Sequence, residues 1–222
     1  MKTPSRSRPA RFDDLSEWSY RIRVKLNTLW ILASYPFAAK GRGISIHLDC
    51  QIARRSAHQI SLGNDVYLYQ GVWLNVLPND DRSPRITIGD NCTIGARNKI
   101  TAKNSIHIGR GVISAENVLL QDHLHAFENP DLPIRDQGAT SGGRIRIEQG
   151  CWLGQGAAII CNEGELVIGR NSVIGVNAVV TRSIPPYSVV SGNPARVVKQ
   201  YDPEKKSWVL GSVRTTETMV TV

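Results

Sequence analysis

Two of the five histidines in this 222-residue chain stand close together, His123 and His125. An imidazole titrates near neutral pH, with an ordinary pKa of about 6.5, so a positioned histidine can take a proton from a reacting hydroxyl. His47, His58 and His107 are scattered and read as structural or solvated side chains. The four cysteines, Cys50, Cys92, Cys151 and Cys161, make no C-x-x-C pair and have no histidine at zinc-finger spacing. They read as small buried hydrophobes in a reducing compartment. The candidate chemistry is therefore proton transfer by a loop histidine, with no metal expected.

The elements that must carry this pair come from a repeat. Leu62-Gly63, Ile88-Gly89, Ile94-Gly95, Ile108-Gly109, Leu153-Gly154, Ile168-Gly169 and Ile174-Gly175 all place an aliphatic residue before glycine. Inside each block the aliphatic positions step by six: Leu62, Leu68, Leu74; Ile88, Ile94, Ile100; Leu153, Ile159; Ile168, Ile174, Val180. Small or β-branched residues follow about four later, at Val66, Val72, Cys92, Val112, Ala157, Val173 and Ala178. This period is neither that of a helix nor that of a plain strand. Short strands on three flat faces explain it: an all-β, left-handed parallel β-helix whose aliphatic residues stack inward coil upon coil. Glycine or asparagine is expected at corners that need unusual φ.

The repeat spans residues 45–199 and is broken twice. Pro78 to Arg85 is polar, and a longer loop over 124–144 starts at the histidine pair. Long loops in a compact repeat are often functional. Over 13–44, Leu15, Trp18, Ile22, Val24, Leu26, Leu29 and Trp30 follow a rough helical spacing and predict a helix that caps the prism. A second reading gives this segment a peripheral membrane contact through Trp and Arg. Its most apolar stretch, Leu29 to Ala39, is too short to span a bilayer. Residues 1–12 carry Lys2, Arg6, Arg8 and Arg11 without an acid and read as a disordered basic tail, part of a net charge of +8. Residues 200–222 form a C-terminal extension. With no signal peptide in view, the expected location is cytoplasmic, and no nucleic-acid partner is expected.

The pieces CWLGQGAAII, VIGRNSVIGVNAVVTRSIPPYSVVSGNPARVVK and YDPEKKSW resemble the C-terminal signature of bacterial hexapeptide-repeat sugar O-acetyltransferases, of the maltose, galactoside and polysaccharide types. QDHLHAFENPDLPI resembles the loop entry of the polysaccharide branch. The resemblance, over roughly residues 60 to 208, implies transfer of acetyl from acetyl-CoA to a sugar or glycan hydroxyl by a homotrimer with sites between subunits. It implies a histidine base. Counting from Ile108 in the galactoside pattern favours His125, whereas alignment on Asp-His selects His123. Glu128 or Asp131 would orient it. The backbone N–H of Gln155 would hold the oxyanion. Trp152, Val176, Thr181, Arg182, Arg196 and Lys199 would contact CoA, whose phosphates call for cations. The segment Cys161 to Glu165 makes its coil about three residues longer than the family pattern and is expected to reshape the CoA groove. Acceptor selection is expected from the loop after His125, the polar loop Pro78 to Arg85, and coil corners such as Asn75, Arg97 and Asn98. Two other enzymes on this fold are weighed: an N-acetyltransferase of a nucleotide-linked amino sugar, and a zinc enzyme of the γ-carbonic anhydrase type using His107, His123 and His125. A non-enzymatic trimerisation rod is the third alternative.

Overall fold

The computed structural model describes residues 15–78 and 83–210. The basic tail, part of the Pro78–Arg85 loop and the end of the C-terminal extension lie outside these residues. A helix, α1 (Leu15–Ser34), leads into six coils of three short strands. The first coil holds β1 (Ala39–Lys40), β2 (Ser45–Ile46) and β3 (Gln51–Ile52). The second holds β4 (Ile60–Leu62), β5 (Tyr67–Leu68) and β6 (Trp73–Val76). The third holds β7 (Ile86–Ile88), β8 (Thr93–Ile94) and β9 (Lys99–Ala102). The fourth holds β10 (Ser105–Ile108), β11 (Ile113–Ser114) and β12 (Leu119–Gln121). The fifth holds β13 (Arg144–Ile147), β14 (Trp152–Leu153) and β15 (Ala158–Ile160), and the sixth β16 (Glu165–Ile168), β17 (Val173–Ile174) and β18 (Val179–Val180). The second face then continues through β19 (Ser188–Ser191) into an antiparallel tail, β20 (Arg196–Asp202) and β21 (Ser207–Leu210).

Every third strand pairs in parallel, which makes three faces, β1-β4-β7-β10-β13-β16, β2-β5-β8-β11-β14-β17-β19 and β3-β6-β9-β12-β15-β18. The result is the left-handed parallel β-helix that the six-residue period predicts, with α1 at its N-terminal end. Register carries each aliphatic onto its equivalent one coil away. Leu62, Ile88, Ile108, Ile147 and Ile168 form one inner column, and Ile52, Leu74, Ile100, Leu120, Ile159 and Val180 another. Each such side chain removed from water contributes about 1.5–3 kcal/mol, so the columns are what hold the coils in register. One expected small residue departs: Val173 is half-buried on the outside of β17, and Ser172 fills the inner corner instead.

The repeated glycines are explained by close approach, not by φ. A Cβ on Gly109 would stand 2.8 Å from the Gln149 nitrogen of the next coil. The left-handed φ falls two residues later, at Asp65, Asn91, Gly111, Gly150 and Asn171 in the first-to-second corner, and at Arg97 (φ 56°) in the second-to-third. Asp and Asn tolerate that region by local hydrogen bonding; Arg97 has no such excuse, and its side chain is instead held by Glu116 at 2.5 Å and Asn117 at 3.1 Å.

Candidate active site

The third face ends at the corner where β12 gives way to the long loop. Asp122 follows directly and is completely buried. The tight turn between β9 and β10 supplies its donors. The backbone N–H of Lys103 reaches Oδ1 at 2.7 Å, and those of Asn104 and Ser105 reach Oδ2 at 2.8 Å each. His123 Nδ1 lies 3.0 Å from the same Oδ1. Since Asp122 serves as an acceptor to every other partner, the consistent tautomer places the imidazole proton on Nδ1 and the lone pair on Nε2. His123 is only 9% exposed, yet its Nε2 has no hydrogen-bond partner among the described residues and is not sealed from solvent. Gln121 Nε2 donates to the His123 carbonyl at 2.8 Å, which fixes the backbone as well.

His125 sits differently. It is exposed and pairs with Ala139 in an antiparallel bridge that forms the neck of the loop. The two histidines thus differ in setting: His123 is buried against Asp122, and His125 lies in the exposed neck of the loop. Glu128 accepts the neighbouring Phe127 N–H at 3.0 Å and Asp131 donates its own N–H to Asn129, and neither bonds a histidine. The carboxylate beside an imidazole is Asp122, whose sequence signal is the Asp-His dipeptide.

The loop returns under tight control. Lys103 Nζ donates to the Thr140 carbonyl and to that of Ala139 at 3.3 Å, and Asn104 Nδ2 to Ser141 at 2.9 Å. The longer coil at Cys161–Glu165 belongs here too. Its Asn162 Oδ1 accepts the Thr140 hydroxyl at 2.5 Å, so the extra residues brace the loop beside His123. The pairing of Ile159 with Val180 also puts Cys161 level with Arg182, one of the residues expected to contact CoA.

The other expected site residues divide by corner. Trp152 is exposed on the second face, in an outward row with Tyr67, Thr93, Ile113 and Val173. Gln155 lies at the second-to-third corner, and its backbone N–H donates to no described group. It closes a groove of about 530 Å³ with Tyr69, Gln70, Ala96, Ala115 and Glu116. Val176 is the equivalent of Gln155 one coil on, and is exposed. Thr181 and Arg182 are exposed just past β18, at the corner that carries His123. Arg196 and Lys199 are exposed on β20 after the cis Asn193–Pro194 bond.

Of the acceptor candidates, Asn75 is half-buried and bonds Thr101 at 3.1 Å, in the outward row of the third face that leads to Gln121. Arg97 is exposed at the other edge of that face. Asn98 is a correction: it is 2% exposed, inside the prism. Its Nδ2 donates to Ser114 Oγ at 2.5 Å and its Oδ1 accepts the Val118 N–H at 2.6 Å, so it satisfies core groups and reaches no acceptor.

His47 and His107 are held below their ordinary pKa, His47 by burial and His107 by burial with Arg146 nearby. The cysteines are free; burial pushes the Cys151 thiol up to about 11, as it does Cys50, which keeps both from acting as nucleophiles. Among the described residues no group of three His, Cys, Asp or Glu is placed to hold a metal.

Known proteins place these features in company. Residues 85–120 and 144–182 match the family model of the hexapeptide repeat of succinyl-transferase. A probable acetyltransferase of Mycobacterium tuberculosis is 30% identical over 177 residues, 80% of this chain and 53% of that protein. A putative lipopolysaccharide biosynthesis O-acetyl transferase of Escherichia coli is 31% identical over 130 residues, 55% of this chain and 64% of its own length. The chain thus spans about half to two thirds of these relatives. The N-acyltransferase AntD of Bacillus cereus, solved with dTDP and 3-hydroxybutyryl-CoA, superposes with a TM-score of 0.64 at 18% identity, covering 82% of this chain and 90% of its own. That likeness is one of fold.

Proposed function

We propose that this hexapeptide-repeat protein transfers an acetyl group from acetyl-CoA to a hydroxyl of a sugar or polysaccharide precursor, with His123 as general base and Asp122 as its positioning residue. The observation that carries the proposal is the buried Asp122–His123 pair with a free Nε2 at the mouth of the loop. Nε2 takes the acceptor hydroxyl proton as that oxygen attacks the thioester carbon. The tetrahedral oxyanion that forms accepts the free N–H of Gln155. Collapse breaks the carbon–sulfur bond, and the proton on His123 leaves with the CoA thiolate. Trp152 and Val176 would flank the pantetheine arm, and Thr181, Arg182, Arg196 and Lys199 the phosphates. Asn75 and Arg97, and not Asn98, remain as acceptor contacts. The relative named for lipopolysaccharide O-acetylation supports a glycan hydroxyl over an amino sugar.

One chain does not complete this site. The pairing of Gln121 with Ile160 puts His123 level with position 162, seven residues along the third face from Gln155. At about 3.3 Å per residue the base and the oxyanion donor stand roughly 20 Å apart. Both must lie within about 3 Å of one reacting centre. The donor must then come from a neighbouring chain, which supports a homotrimer with its sites between subunits.

The test is acetyl-CoA-dependent thiol release across a panel of sugars with hydroxyl or amino acceptors, for the wild type, His123→Ala and His125→Ala. The expected result is turnover on a hydroxyl acceptor, lost in His123→Ala and largely kept in His125→Ala. Full activity in His123→Ala would sink the mechanism. For the shared site, inactive His123→Ala and Gln155→Pro chains are co-expressed. Activity regained in the mixed oligomers supports sites built from two chains, and none regained refutes it.

A further inference from the structure

Helix α1 is apolar on two opposite sides. One side packs on the first coil: Val24, Thr28 and Ile31 are buried, and Asn27 and Thr28 donate to the Ile46 carbonyl at 3.1 Å each. At about 100° per residue, Leu15, Ile22, Leu26 and Leu29 fall on the side directly opposite. All four are exposed, Leu26 at 60%. Trp18 and Trp30, also exposed, form the two edges of this stripe. Just outside each tryptophan lies a cation, Lys25 beside Trp18 and Arg23 beside Trp30. The only acid in the helix, Glu17, lies toward the packed side and bonds Arg21 at 2.6 Å.

We propose that this stripe docks α1 in the plane of an anionic lipid surface. Aliphatic side chains at the centre would enter the acyl boundary. Tryptophans at the edges would sit at headgroup level, and the cations outside them would meet lipid phosphates. A second copy of this chain is a poorer occupant. Two such stripes paired face to face would bring the Arg23 and Lys25 side chains of both copies together with no acid on the stripe to neutralise them, and in a ring of three the stripe would have to meet a different face of the neighbour. No described helix is long and apolar enough to cross a membrane, which leaves the surface as the mode of contact. The inference does not rest on the acyl-transfer reading.

The experiment is cosedimentation of the full chain with vesicles of phosphatidylcholine alone and of equal parts phosphatidylcholine and phosphatidylglycerol. Binding is expected on the anionic vesicles, weaker on the neutral ones and weaker in high salt, with a blue shift of tryptophan emission. Arg23→Gln with Lys25→Gln is expected to lower anionic binding about tenfold or more. Ile22→Asp with Leu26→Asp is expected to abolish it, with circular dichroism and oligomer mass as in the wild type. The proposal is overturned if the wild type ignores anionic vesicles, or if either variant binds like the wild type. It is also overturned if the Ile22→Asp, Leu26→Asp chain changes its oligomer mass, which would make the stripe an interface between copies.

Discussion

Replacing Asp122 by Asn tests the dyad where its geometry is most constrained. The carboxylate takes two donors on each oxygen: Lys103 N–H and His123 Nδ1 on Oδ1, and the Asn104 and Ser105 N–H groups on Oδ2. An amide keeps one of these oxygens and turns the other into a donor. With the NH₂ at Oδ2, two buried backbone N–H groups lose their acceptor, at about 1–3 kcal/mol each. With the NH₂ at Oδ1, only the Lys103 N–H is orphaned, because the imidazole can answer by moving its proton to Nε2. The second orientation is cheaper by about one orphaned N–H, so it wins. It also removes the lone pair that would act as the base. The expected outcome is a folded protein, less stable by about 1–3 kcal/mol, with kcat lower by about 10²–10⁴ and KM for acetyl-CoA unchanged. Thermal denaturation and thiol-release kinetics, on the acceptor found in the panel, read the two effects separately. Wild-type turnover in a folded Asp122→Asn protein would refute the tautomer argument.

Gly109→Ala puts a Cβ 2.8 Å from the Gln149 nitrogen and 2.9 Å from the Glu148 carbonyl carbon, so the coils must part, at a cost of about 1–3 kcal/mol read as a lower Tm. Asn98→Ala strips the Val118 N–H of its acceptor inside the core; it should lower the Tm by the equivalent of about 1–3 kcal/mol while leaving the acceptor KM unchanged, and a raised KM would return Asn98 to the acceptor site. Burial holds His47 and His107 below the ordinary histidine pKa in the folded chain, with Arg146 adding to the effect at His107, so the unfolded chain binds more protons in mild acid and stability falls as pH drops below about 6.5. His47→Gln should flatten that fall in a series of Tm measurements from neutral pH downward.

The prism was legible because each inner column demands the same thing of every coil: an aliphatic residue inward, then a residue without a Cβ where the next backbone passes. Ile108-Gly109 and Ile168-Gly169 satisfy both, and neither a helix nor a plain strand has that period. The same ruler, read strictly, also reaches Asn98, which follows Ile94 by four and so faces inward. Its polar side chain suggested a surface role only because the partner that makes it tolerable, Ser114, interrupts the aliphatic column one coil away. The Asp122–His123 pair was not legible to the same degree. What separates His123 from His125 is the Lys103–Ser105 turn, 17 to 19 residues before Asp122, whose amides hold the Asp122 carboxylate. Backbone donors leave no mark on residue type, so that cradle had no sequence signal. The lengthened coil at Cys161–Glu165 was visible as an insertion, but which corner it served depended on the loop it touches.

That turn also links the Asp122–His123 pair to the loop. Lys103 and Asn104 hold Asp122 through their backbone and hold the returning chain at Ala139, Thr140 and Ser141 through their side chains. Gly142 closes the arrangement, since a Cβ there would lie 2.7 Å from the Asp122 carbonyl oxygen. Pinning both ends at one turn leaves the tip, 127–137, to be ordered by its own bonds, chiefly those of Gln137 to Asn129 and Leu132. Loop-closure entropy rises only slowly with length once the neck is fixed. The tip can therefore change in length and composition at small cost to the dyad, whereas a change at Lys103, Asn104 or Gly142 reaches His123 directly. The exposed Phe127, Leu132 and Ile134 belong to the part of the loop free to vary, and Asp122 and His123 to the part that is not.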